Sequence, residues 1–156
     1  VKATPDNMLK RIETLIAEQK QTAKELESLK AKMAGGAADD ILSKAVDVKG
    51  MKVVCAEIKD ADANALRTMG DQLKNKLGSG IIVLASSKDG KVSLLAMATD
   101  DAVKAGAHSG NIIKAAAAVC GGGGGGRPNM AQAGGKDASK IAEALEKAKE
   151  IIEGQL

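Results

Sequence analysis

The stretch GSGIIVLASSKDGKVSLLAMA, residues 78–98, decides the fold. Its run Ile81-Ile82-Val83-Leu84 is short, continuously apolar and bounded by glycine, the pattern of a buried strand. Asp89-Gly90 is the signal for a two-residue hairpin, because the type I′ turn needs positive φ at both central residues. Val92 to Ala98 supplies the second strand of that hairpin. Just upstream, Leu66, Met69, Leu73 and Leu77 recur at helical spacing, with Asp62 placed to cap the start and Gly78 to stop the end. A helix feeding a buried strand and then a hairpin predicts an α/β domain.

Working outward, Ala45–Val48 and Met51–Ile58 read as short strands divided by a turn at Lys49-Gly50. Ser109 to Cys120 is Ala-rich and apolar at Ile112, Ile113, Ala116 and Val119, which predicts a helix opening on Ser109, Gly110 and Asn111. A last helix is expected over Ala138–Glu153, with Ile141, Leu145, Ala148 and Ile152 on one stripe. At the other end, Met8, Ile12, Leu15, Gln19, Thr22, Leu26, Leu29 and Met33 alternate spacings of four and three, the seam of a helix that packs on another helix. Thr4, Pro5 and Asp6 read as its N-cap and first turn, and Gly35-Gly36 as its stop. The expected fold class is therefore α/β: a coiled-coil-like helical arm over residues 1–36, then a small domain over 37–156 with a mixed sheet, β-hairpins and a Gly-rich loop.

Composition excludes several functions. The 156 residues allow one ordinary domain with an appended element, and 44% hydrophobic residues suffice for one modest core. No Phe, Tyr or Trp is present, so a site that stacks bases on aromatic rings cannot be built. A net charge of +3 names no nucleic-acid partner by itself. Residues 101–137, however, carry four basic against two acidic side chains and no Glu. Cys55 and Cys120 are too far apart and too few for a disulfide framework or a zinc site, which makes a reducing cytoplasm the expected location. No apolar run has membrane-spanning length. The start at Val1 has neither an initiator Met nor signal-peptide features, and is expected to be the edge of a piece from a longer chain.

Gly121–Gly126 followed by Arg127 offers consecutive backbone N–H groups with no side chains in the way, and a guanidinium able to clamp a phosphate. The same glycines would equally serve a flexible connector. The run is not a P-loop, since no Lys-Ser or Lys-Thr closes it, and it lacks the Rossmann spacing.

Read in full, CGGGGGGRPNMAQAGGKD (Cys120–Asp137) with HSGNIIK (His108–Lys114) resembles the C-terminal region of bacterial alanyl-tRNA synthetases, of the DHH-associated domain type. SKAVDVKGMKVV (Ser43–Val54), ALRTMGDQLKNKLGSGIIVLAS (Ala65–Ser86) and DGKVSLLA (Asp89–Ala96) add to the resemblance. It implies a module that docks near the outer corner of alanine tRNA, supports aminoacylation and editing by upstream domains, and contributes to a homodimer. Its parent would be an ATP-dependent alanine–tRNA ligase using magnesium, with zinc in the editing domain. This piece carries none of those motifs and is expected to be non-catalytic, with no cofactor or metal of its own. In related phosphoesterases and single-strand exonucleases the Gly-rich loop ends in His. Here the position is Arg127, which suits binding phosphate more than moving protons.

The candidate RNA-binding residues are Lys104, His108, Asn111, Lys114, Gly121, Gly122, Gly123, Gly124, Gly125, Gly126, Arg127, Asn129, Gln132 and Lys136. His108, the only histidine, reads equally as a helix-start residue, and the lysines as solvated charges. Asn129 and Gln132 can bond ribose or the loop's own backbone. Cys55 and Cys120 read as small apolar fillers. The pairs Asp39-Asp40 and Asp100-Asp101 read as caps of helix starts. The competing readings are the same module on a long-form free-standing alanyl-tRNA deacylase, a purely structural dimerisation module, and the substrate-binding half of a nuclease.

Overall fold

A computed structural model describes the backbone of residues 5–156, and the side chains of all of these except 5–7, 27–35 and 37. The elements in chain order are α1 (Pro5–Ser43), β1 (Val46–Val48), β2 (Met51–Lys59), α2 (Ala63–Leu77), β3 (Gly80–Lys88), β4 (Lys91–Ala98), α3 (Asp100–Lys104), α4 (Ser109–Val119), β5 (Gly123–Arg127), β6 (Met130–Gly135) and α5 (Ile141–Gln155). The chain divides into two units, Val1–Ala37 and Ala38–Leu156.

The strands form one six-stranded mixed sheet in the order β1-β2-β3-β4-β6-β5. Only β2 and β3 are parallel, joined by the crossover helix α2; the remaining neighbours are antiparallel. The deciding stretch folds as read. β3 is buried along almost its whole length, and Asp89 (φ 52°) with Gly90 (φ 74°) makes the positive-φ turn into β4. Lys49 (φ 52°) and Gly50 (φ 86°) make the corresponding turn between β1 and β2. The Asp62 carboxylate accepts from the Ala65 N–H at 2.8 Å, and Gly78 (φ 74°) closes α2.

Alternation along the strands assigns the two faces of the sheet. Val53, Ile81, Val83, Ala85, Val92, Leu94 and Ala96 join one buried cluster with Ile112, Ile113, Ala116 and Ala117 of α4 and Ile141, Ala144, Ala148 and Ile152 of α5. The intervening residues Ile82, Leu84, Leu95 and Met97 face α2. That helix lies close on β4 at Gly70, where a Cβ would stand 2.8 Å from Leu95 Cδ2 and 2.9 Å from Met97 Sδ.

The structure corrects the sequence at several places. Gly35 and Gly36 do not stop α1, which continues to Ser43. Two glycines cost roughly 2 kcal/mol of helix propensity, and the following turns offset this by burying Ala38 and Ile41. Asp39 and Asp40 therefore lie near the end of a helix rather than at a start, and Asp39 pairs with Lys76 at 2.6 Å. Asp100 and Asp101 occupy the first turn of α3, but the cap position belongs to Thr99. α4 opens on Ser109 as read, with His108 as its N-cap. The last helix begins at Ile141, after a 3₁₀ turn at Ala138–Lys140. The Gly-rich segment is a strand over residues 123–127 rather than a loop. The expected Thr4 cap, and the side chains of the seam residues Leu29 and Met33, lie outside the described residues.

Candidate nucleic-acid interface

A strand of glycines has little intrinsic β preference, so β5 must be held by what surrounds it. The exit of the β5–β6 hairpin is tied back to its entrance: Cys120 O accepts from Lys136 N at 3.0 Å and Asp137 N at 3.1 Å. Gly121 (φ 63°) turns the chain out of α4 into the hairpin. At the far end Pro128 and Asn129 form the turn. Pro128 O accepts from Ser109 N at 2.9 Å, and Asn129 O accepts from Ala98 N at 3.0 Å. The hairpin tip is thereby fastened to the start of α4 and the end of β4.

Gly121 aside, the remaining five glycines of the run divide into two sets. A Cβ on Gly122, Gly124 or Gly126 would overlap the backbone of β6, at Gly134, Ala133 and Ala131 respectively. A Cβ on Gly123 or Gly125 would meet nothing within 4 Å. The fold therefore demands the even-numbered glycines, Gly121 apart, and leaves the odd-numbered pair bare for another reason. The register sets Gly125 opposite Gln132 and Arg127 opposite Met130, and Gln132 and Met130 in turn opposite Leu95 and Met97. This is the face of the sheet that α2 covers over β3 and β4.

Beyond α2 that face opens into a groove of about 420 Å³. Arg127, Gly125, Gly126, Asn129 and Gln132 line the hairpin side, Met97 and Met130 the floor, and Asp71 and Lys74 the α2 side. Five of the candidate residues are thus brought together. Lys74, Asp71 and Met97 were missed by sequence reasoning, because nothing in a linear string ties a surface lysine of one helix to an arginine on a remote strand.

The other candidates lie elsewhere. α4 packs on the opposite face of the sheet, close enough that a Cβ on Gly110 would stand 2.8 Å from Gly126 O. His108 is half-buried; its Nδ1 accepts from Asn111 N at 3.3 Å, and its own N–H donates to Gln155 Oε1 at 2.7 Å. Asn111 and Lys114 are exposed on α4, and Lys104 is exposed at the end of α3. Gly121–Gly124 and Lys136 lie toward the base of the hairpin. The Asp137 carboxylate next to it accepts from the Ser139 hydroxyl and N–H, which holds its pKa below the usual value.

The thiols are held neutral. Burial pushes Cys55 up to about 11 against the opposing Lys149 ammonium, and burial, with Asp137 and Glu143 adding to it, raises Cys120. Among the described residues no three His, Cys, Asp or Glu side chains gather as a metal-ligand set, and no helix is long and apolar enough to cross a membrane.

Comparison with known proteins identifies the family of the chain. The family model of the DHHA1 domain matches residues 50–154. The chain is 55% identical over 156 residues to the alanine–tRNA ligase of Acetivibrio thermocellus, covering 100% of this chain and 18% of that protein. It is 52% identical over 155 residues to alanine–tRNA ligase 1 of Lachnoclostridium phytofermentans, covering 99% of this chain and again 18% of the relative. The chain thus spans under a fifth of the length of these curated relatives. Among solved structures, the C-Ala domain of Aquifex aeolicus alanyl-tRNA synthetase superposes with a TM-score of 0.64 at 28% identity, over 71% of this chain and 99% of that one. With a matched model over most of its length and a glycine-arginine hairpin on the edge of its sheet, the chain belongs to the DHHA1 domain family.

Proposed function

We propose that this chain is the C-terminal tRNA-binding module of a bacterial alanyl-tRNA synthetase, docking the outer corner of alanine tRNA so that the upstream aminoacylation and editing domains work on the same molecule. The observation that carries the reading is the groove where Arg127, Asn129 and Gln132 meet bare glycine backbone. Guanidinium, amide and backbone groups recognise phosphate and ribose without reading sequence. A tRNA corner is a shape target and requires no aromatic stacking. On this reading the piece itself performs no chemistry, and ATP, magnesium and the editing zinc belong to the rest of a cytoplasmic ligase.

The test is fluorescence anisotropy with alanine tRNA, an acceptor-stem minihelix lacking the outer corner, and single-stranded DNA over a range of salt. Salt-sensitive binding to the full tRNA alone, weakened by Arg127→Ala, is the expected result. Equal weak binding to all three would reduce the interaction to general electrostatics. A homodimer through α1 is a second reading, supported by Met8, Leu9, Ile12, Leu15, Ile16 and Leu26, each about half or more exposed.

A further inference from the structure

Two cations line the groove from opposite sides, and only Arg127 belongs to the glycine motif. Lys74, on α2, reaches the same space through the sheet topology rather than through proximity in the chain. We propose that Lys74 is a second anion-binding residue of this groove, and that the two cations hold a single phosphodiester of the RNA backbone between α2 and the β5–β6 hairpin. The inference rests on the RNA-docking reading above and names the chemical unit it grips.

Three observations support it. Among the described residues the ion pairs are Lys76–Asp39 and Lys147–Glu150, so neither Lys74 nor Arg127 is neutralised by a protein carboxylate within ion-pair distance. Asp71 lines the same wall and sets the formal charge of the groove at +1. That matches a phosphodiester, with one negative charge, better than a terminal phosphate, which carries about −1.5 to −2 near neutral pH. Finally, Gly125 presents bare backbone to the groove although a side chain there would meet nothing within 4 Å. A phosphate held between the cations can approach that backbone with no side chain in the way. The groove's volume falls in the range of small-ligand sites, and without an aromatic wall it offers a base nothing to stack on.

The experiment is a set of salt titrations of the 156-residue chain with labelled alanine tRNA, comparing wild type, Lys74→Gln, Arg127→Gln and the double variant. Each single change is expected to weaken low-salt binding about tenfold and to reduce the salt slope by about one. Lys74→Arg should retain binding, and Asp71→Asn should tighten it. Inorganic phosphate should compete poorly. If Lys74→Gln leaves affinity and slope unchanged while Arg127→Gln weakens binding, the second cation is overturned and the docking reading stands. If neither matters, docking through this groove fails as well. Weaker binding by Asp71→Asn would overturn the charge match by making that carboxylate an acceptor for the RNA. Thermal melts of each variant exclude misfolding as the cause, since Lys74 is a helix-surface residue that Gln can replace.

Discussion

Gly124 and Gly125 are adjacent, chemically identical and held for different reasons. Gly124→Ala would drive a methyl into Ala133 and is expected to cost about 1–3 kcal/mol, read as a lower midpoint in urea unfolding. Gly125→Ala should leave that midpoint within about 0.5 kcal/mol yet weaken tRNA binding, since its side is open to the groove. Equal effects on stability would remove the distinction between the two sets of glycines. Cys55 makes a separate prediction through its protonation. Its thiol is raised from 9.0 to about 11 by burial, so the native state keeps a proton that the unfolded chain releases. This contribution is complete below pH 9 and falls as pH climbs toward 11. Thermal melts across that window should show a decline that Cys55→Ala reduces. At this scale the sequence already displayed Arg127, Asn129 and Gln132, because a motif carries its own neighbours. Lys74 was illegible because only the α2 crossover and two antiparallel pairings bring it to the same groove.

The elements that could be read were those whose signals are local. Asp62 and Gly78 bracket α2, and Asp89-Gly90 turns β3 into β4, each through backbone conformations that few residues satisfy. Asp62→Ala should remove the cap bond to Ala65 N and cost about 1 kcal/mol, lowering the melting temperature by a few degrees. Asp62→Asn or Asp62→Ser should restore most of it. The elements that escaped reading depend on distant partners. β5 consists of residues that disfavour strands, and it exists because β6 pairs with it, α4 covers one face, and Cys120, Ser109 and Ala98 fasten its hairpin. The double glycine in α1 is a breaker by composition alone. It is overridden because the helix beyond it has Ala38 and Ile41 to bury.

At the scale of the whole molecule, the two proposals place association and RNA binding on different elements, α1 and the groove beside β5. α1 exposes Met8, Ile12, Leu15 and Leu26 along its seam, with Leu9 and Ile16 broadening the stripe. A stripe of this kind loses roughly 25 cal/mol of solvation cost for each Å² it hides, and a second copy of the helix presents the same pattern. The polar residues Gln19 and Thr22 in the middle of the seam favour one register over its shifted alternatives. Sedimentation equilibrium should therefore find a concentration-dependent dimer, and Ile12→Glu with Leu15→Glu should return it to a monomer. The salt slope for tRNA should survive that change, because it is set by cations of the groove and not by α1. The converse variant, Lys74→Gln with Arg127→Gln, should lower the slope and leave the dimer intact. With one RNA bound per groove, the affinity of each groove should be the same in the dimer and in the monomeric variant. A monomeric wild type, or a slope that falls with the α1 substitutions, would make this division of labour untenable.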